Sequence, residues 1–161
     1  MPILHTQFEG EIAQPDGTRI AAPPPLALIR QGPVVQVSFG LAQSLATELT
    51  QHGLTLPNPT SGYALIDTGA SATCIDDQLA QQMRLPAIDV VQMTSASHAA
   101  TPANVYPIQM EIIGTPIRVE ISRAMGANLS GQKLVALIGR DFLSHCTLFY
   151  NGFTGQITLA I

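Results

Sequence analysis

The chain has 161 residues, of which 46% are hydrophobic and only 11% charged, with a net charge of -4. Its apolar runs, such as 134–138, fall far short of the ~20 residues of a membrane-crossing helix, and its seven Lys and Arg residues are scattered rather than gathered into a phosphate-gripping stripe. These features argue against membrane and nucleic-acid partners and leave a surplus of apolar surface for contact with another subunit.

Residues 8–20 read as a hairpin turning at Pro15-Asp16-Gly17. Pro23-Pro24-Pro25 reads as a stiff linker, so residues 1–30 are expected to form an N-terminal extension and 31–161 the main domain. Residues 34–39 alternate like a half-buried strand. Residues 41–51 carry apolar side chains at helical spacing, with Gly53 as a stop. A strand at 63–66 follows, then a short helix over 77–84, opened by Asp and closed by Pro86. Further strands are expected at 90–93, 106–113, 116–121 and 134–138, then a short helix through Phe142 and a hairpin of 147–150 with 156–161 turning at Asn151-Gly152. The expected fold is mostly β with two or three short helices. One internal echo stands out: Ala64-Leu65-Ile66-Asp67 against Ala136-Leu137-Ile138-Gly139, each an apolar strand entering a sharp turn.

The chemistry concentrates at Asp67-Thr68-Gly69-Ala70-Ser71. A carboxylate follows directly on an apolar strand, where burial is costly unless the group is paired or hydrogen-bonded, and a glycine two residues on permits close backbone approach. Two readings fit. Asp67 caps its own turn, or it is a working carboxylate.

Residues 63–71 resemble the active-site loop of aspartic peptidases, two apolar residues followed by Asp-Thr-Gly-Ala/Ser. Leu137-Ile138-Gly139-Arg140-Asp141-Phe142-Leu143 resembles the second signature of the retropepsin-like, retroviral-type members. The resemblance spans roughly 34–161. It implies a closed, mostly antiparallel β fold with the active site at a homodimer twofold axis, and an aspartic endopeptidase acting on peptide or protein substrates. Hydrolysis by this route needs two carboxylates sharing a proton around a water. Only one Asp-Thr-Gly is present, so the second Asp67 is expected from another subunit. The resemblance also implies that Thr68 braces the two loops across the axis and that Gly69 meets substrate backbone. A retropepsin fold serving as a catalytically silent binding or assembly module is the alternative.

Two departures from the family pattern matter. Ala70 offers no hydroxyl to the dyad, which predicts a working pH nearer neutral than that of pepsin-like enzymes. Ser71 stands where retroviral subunits carry an acidic residue, so Arg140 is expected to find a structural salt bridge with some other carboxylate. Ser95, Ala96, Ser97 and His98 lie where the family places its substrate-covering flap, and small polar residues suit a lid. Asp76 and Asp77 are read as helix caps. His5, His52, His98 and His145 show no metal-ligand spacing, and no phosphate or dinucleotide loop occurs, so neither metal nor cofactor is expected. A thiol hydrolase built on Cys74 or Cys146 has no local signature. With two cysteines giving no disulfide framework and no leader-like N-terminus, a reducing, cytoplasmic setting is expected.

Overall fold

The structure, a computed structural model, describes residues 2–95 and 98–161. The first strand, β1 (Ile3–Gln7), is followed by a small hairpin of β2 (Glu11–Ala13) and β3 (Arg19–Ala21). That hairpin turns where the sequence predicts: Gly17 has φ +85°, and Asp16 Oδ1 accepts the Thr18 amide at 2.9 Å. The proline run does not form an extended linker. Pro24 and Pro25 occupy the first turn of helix α1 (Pro24–Gln31), where a missing amide hydrogen costs no intrahelical bond and the fixed φ favours the helix.

The main body begins with β4 (Val34–Leu41), helix α2 (Gln43–Gln51) and β5 (Thr60–Ile66). It continues through β6 (Cys74–Asp76), helix α3 (Asp77–Gln82), β7 (Asp89–Ser95), β8 (His98–Ile112) and β9 (Arg118–Ala127). After a 3-10 turn come β10 (Ala136–Ile138), helix α4 (Arg140–Leu143), β11 (Thr147–Asn151) and β12 (Gln156–Ala160). Strands β4, β5, β10, β6, β9 and β8 pair in that order, and β8 pairs back onto β4, which closes a barrel. Its pairings are antiparallel except β5 with β10 and β6 with β9.

Alternation explains what fills the barrel. In β4, Val35, Val37 and Phe39 are buried while Gln36 is exposed, as a pleated strand with one wet face requires. Ile66, Ile108, Met110, Ile112 and Ile138 join them in one cluster.

The same cluster takes in Phe8, Ala27 and Leu28 from the N-terminal segment, and Ile157 and Leu159 from β12. Strand β1 pairs antiparallel with β12 from Ile3↔Ala160 to Gln7↔Gln156, and β11 pairs with the other edge of β12. The N-terminal segment is thereby hydrogen-bonded to the last strand of the chain.

Two features position the site. The echoing segments are hydrogen-bonded partners: β5 and β10 run parallel in the register Ala64↔Ala136, Leu65↔Leu137 and Ile66↔Ile138. Beyond the barrel, β7 and the first half of β8 form a two-stranded arm. The pairing of β8 with β7 ends at Val105, where its pairing with β9 begins, and from Ile108 to Ile112 it pairs with β4.

Candidate active site

Asp67 is the first residue past β5. Its amide donates to the Ile138 carbonyl at 3.0 Å, extending the β5–β10 ladder to the carboxylate-bearing residue. Oδ1 accepts the amides of Gly69 at 2.8 Å and Ala70 at 3.3 Å. The side chain does cap its own turn, but with one oxygen. Oδ2 has no hydrogen bond among the described residues. The carboxylate is therefore held in orientation while one oxygen stays open for chemistry. Gly69 fits for reasons of space, because a Cβ there would sit 3.0 Å from Asp67 Oδ1, the oxygen its own amide holds. Thr68, Gly69 and Ser71 are exposed, and Ala70 is half-buried.

The second segment lies directly against this loop. Gly139 is extended, so its requirement is spatial: a Cβ would collide with the Ala72 carbonyl carbon, 2.5 Å from Ala72 O and 2.7 Å from Thr73 N. The Arg140 amide donates to the Ala70 carbonyl at 3.0 Å. The Arg140 side chain does not make the expected salt bridge. Its Nη1 donates to the carbonyls of Thr68 at 2.8 Å and Gly69 at 2.9 Å, while the ion pairs among the described residues are Arg19–Glu11, Arg118–Glu111 and Arg123–Asp89. The reason is local. Ser71 supplies no charge, and the guanidinium offers its donors to two neighbouring loop carbonyls instead.

Asp141, itself exposed, turns its carboxylate onto Thr73. Its Oδ2 accepts the Thr73 amide at 2.9 Å and its Oδ1 accepts the Thr73 hydroxyl at 2.8 Å. Thr73 Oγ1 in turn accepts the Gly139 amide at 3.2 Å, and Thr73 is 0% exposed. This buried hydroxyl ties the two loops together. Its only sequence signal is a polar residue at the head of the apolar run Cys74-Ile75.

Asp76 and Asp77 separate in role. Asp76 is the N-cap of α3, accepting the Leu79 amide at 2.9 Å, and its other oxygen accepts the Leu129 amide at 3.0 Å. Asp77 does not cap the helix. Its carboxylate takes donors from Gln81, Asn104 and Tyr106 instead. Cys74 is a poor nucleophile. Burial, reinforced by the Asp141 and Asp67 carboxylates, pushes its thiol up to about 11, so it stays protonated near neutral pH. Burial raises the Cys146 thiol as well.

The candidate flap falls at the end of the β7–β8 arm. Ser95 and His98 are backbone partners there, and Ala96 and Ser97 lie outside the described residues. Among the described residues no three His, Cys, Asp or Glu side chains converge as metal ligands, and no helix is long and apolar enough to cross a membrane.

A closed β barrel carrying an Asp-Thr-Gly loop at the end of a parallel strand pair, locked to a Gly-Arg-Asp turn, defines the aspartic peptidase class. The chain belongs to the family described as "gag-polyprotein putative aspartyl protease", whose pattern it matches over residues 58–145. Among solved structures it is similar to a retropepsin-like aspartic protease from Rickettsia conorii, at 10% sequence identity and a TM-score of 0.49, over 98% of this chain and 90% of that one. No curated protein matches it.

Proposed function

We propose that this chain is an aspartic endopeptidase that works as a homodimer, hydrolysing peptide bonds with a water held between its Asp67 and Asp67 of a second copy. The observation that carries the reading is the Asp67 carboxylate itself, with Oδ1 fixed by two loop amides and Oδ2 open. One carboxylate cannot serve as base and acid at once, and the chain has a single Asp-Thr-Gly. In the dimer the ionised Asp67 takes a proton from the water as its oxygen attacks the peptide carbonyl carbon. The protonated Asp67 gives its proton to the carbonyl oxygen, forming a neutral tetrahedral diol. Collapse of the diol breaks the C–N bond as a proton passes to the leaving nitrogen.

In this reading Thr68 and Gly69, exposed in the single chain, meet the second copy and the substrate backbone. The substrate binds as an added strand beneath the β7–β8 arm, with apolar side chains flanking the cleaved bond. Residues 31–161 form the peptidase domain, and the segment before it adds β1 to the edge of β12. The protonated Cys74 thiol weighs against a thiol mechanism.

The test is a diverse peptide pool incubated with the wild-type chain and with Asp67→Asn, each shown to be equally folded. Cuts made by the wild type and absent from the variant are expected. Cutting by Asp67→Asn at most of the wild-type rate would refute the aspartic mechanism.

A further inference from the structure

Asp77 draws together more hydrogen bonds than a helix-opening residue needs. Its Oδ1 accepts Asn104 Nδ2 at 3.0 Å and the Tyr106 hydroxyl at 2.8 Å, and its Oδ2 accepts Gln81 Nε2 at 2.6 Å. Two of these donors mark a boundary. Asn104 pairs with Val90 and belongs to the arm, whereas Tyr106 pairs with Ala124 and belongs to the barrel wall. The carboxylate therefore grips β8 on both sides of the point where the arm leaves the barrel.

The surroundings are shaped to keep this grip. Tyr106 is 1% exposed. Burial first, and then the neighbouring Asp77 carboxylate, pushes its phenol up to about 12, so the hydroxyl remains a donor. Across from Asp77 stands Gly126, where any Cβ would collide with the Asp77 carboxylate oxygen and lie 3.0 Å from its carbon. Only a residue without a side chain leaves room for the carboxylate. The connection towards the catalytic loop is short. Strand β6 ends at Asp76, pairs with β10 on one side, and pairs with β9 on the other through Ile75↔Gly126.

We propose that Asp77 is a positioning residue that fixes the root of the β7–β8 arm against the barrel, and that it thereby sets how firmly the arm holds substrate. The claim about substrate rests on the peptidase reading above. The claim about the arm does not.

The experiment compares Asp77→Ala, Asp77→Asn and Tyr106→Phe in the full chain by amide hydrogen exchange, alongside kinetics on a peptide the wild type cleaves. Losing the acceptor should speed exchange at 89–95 and 100–104 by about tenfold or more, roughly the worth of one or two lost hydrogen bonds. Exchange in β5 and β10 should not change. Tyr106→Phe should give a smaller effect of the same pattern, and it keeps the test alive if Asp77→Ala fails to fold. Asp77→Asn should largely restore protection, because its amide oxygen still accepts from Asn104 and Tyr106 while Gln81 turns its own oxygen to the new donor. KM should rise several-fold in Asp77→Ala with kcat much less changed. Unchanged exchange in the arm, or a uniform rise across the chain, would overturn the anchoring role. Arm-specific loosening with a fall confined to kcat would overturn the link to substrate. If the wild type cleaves no peptide, the peptidase reading fails, and hydrogen exchange still decides the anchor.

Discussion

Thr73→Val isolates the joint between the Asp67 loop and the Gly139–Asp141 turn. Valine reproduces the shape of threonine and removes only the hydroxyl. That hydroxyl donates to Asp141 Oδ1 at 2.8 Å and accepts the Gly139 amide at 3.2 Å, at a position with no solvent exposure. The substitution deletes two hydrogen bonds and strands the buried Gly139 amide, while Asp141 Oδ1 keeps the Phe142 amide at 2.9 Å. The expected cost is about 2–4 kcal/mol, which for a chain of this size lowers the melting midpoint by about 5–15 °C. Thr73→Ser is the matched control. It keeps both hydrogen bonds and loses one buried methyl group, so it should cost about 1 kcal/mol. Urea denaturation at one fixed protein concentration, with equal slopes required, compares the two variants with any self-association held constant. If Thr73→Val cost no more than Thr73→Ser, the hydroxyl would not be the joint, and the account of how Gly139 and Asp141 lock onto the Asp67 loop would be wrong.

Deleting residues 2–9 strips β1 from β12 and removes buried Phe8, so a loss of at least about 3 kcal/mol, or outright aggregation, is expected in the same denaturation assay. Cys74 makes a prediction at alkaline pH. Its thiol is pushed up from 9.0 to about 11, so the unfolded chain ionises first. The stability due to this group is complete below pH 9.0 and is lost as pH rises through about 11. Tyr106, raised from 10.0 to about 12, acts with the same sign at higher pH. Denaturation midpoints of Cys74→Ala should fall less steeply than those of the wild type over the first of these intervals.

Much of the site is legible in the sequence because its determinants are local. An apolar strand, an Asp and a Gly within a few residues specify the Asp67 loop. The echo between residues 64–67 and 136–139 becomes, in the fold, a parallel ladder that runs on through the Asp67 amide. What the sequence hides is non-local. Strand β1 finds its partner at the opposite end of the chain, and nothing near Ile3 announces it. Strand β6 is too short to show a period, and its pairing with β10 and β9 comes from the closure of the barrel. The proline run misleads because proline serves both stiff linkers and the first turn of a helix, and burial of Ala27 and Leu28 decides between them. Arg140 keeps the position of its signature but changes its partner. The acidic residue it would otherwise pair with is replaced by Ser71, and the vacated bond goes to the Thr68 and Gly69 carbonyls. Asp77 looks like a cap because it follows one, and only the approach of β8 reveals its other role.

The shared dyad is tested most directly by mixing. Wild-type chain is allowed to exchange subunits with an equal amount of folded Asp67→Asn, and cleavage of a fluorogenic peptide is measured at constant wild-type concentration. If each working site needs Asp67 from two copies, only dimers of two wild-type chains cut, and random pairing lowers the rate to about half. A rate unchanged by the inactive chain, under conditions where mixed dimers are shown to form, would mean that a single Asp67 suffices and would contradict the account.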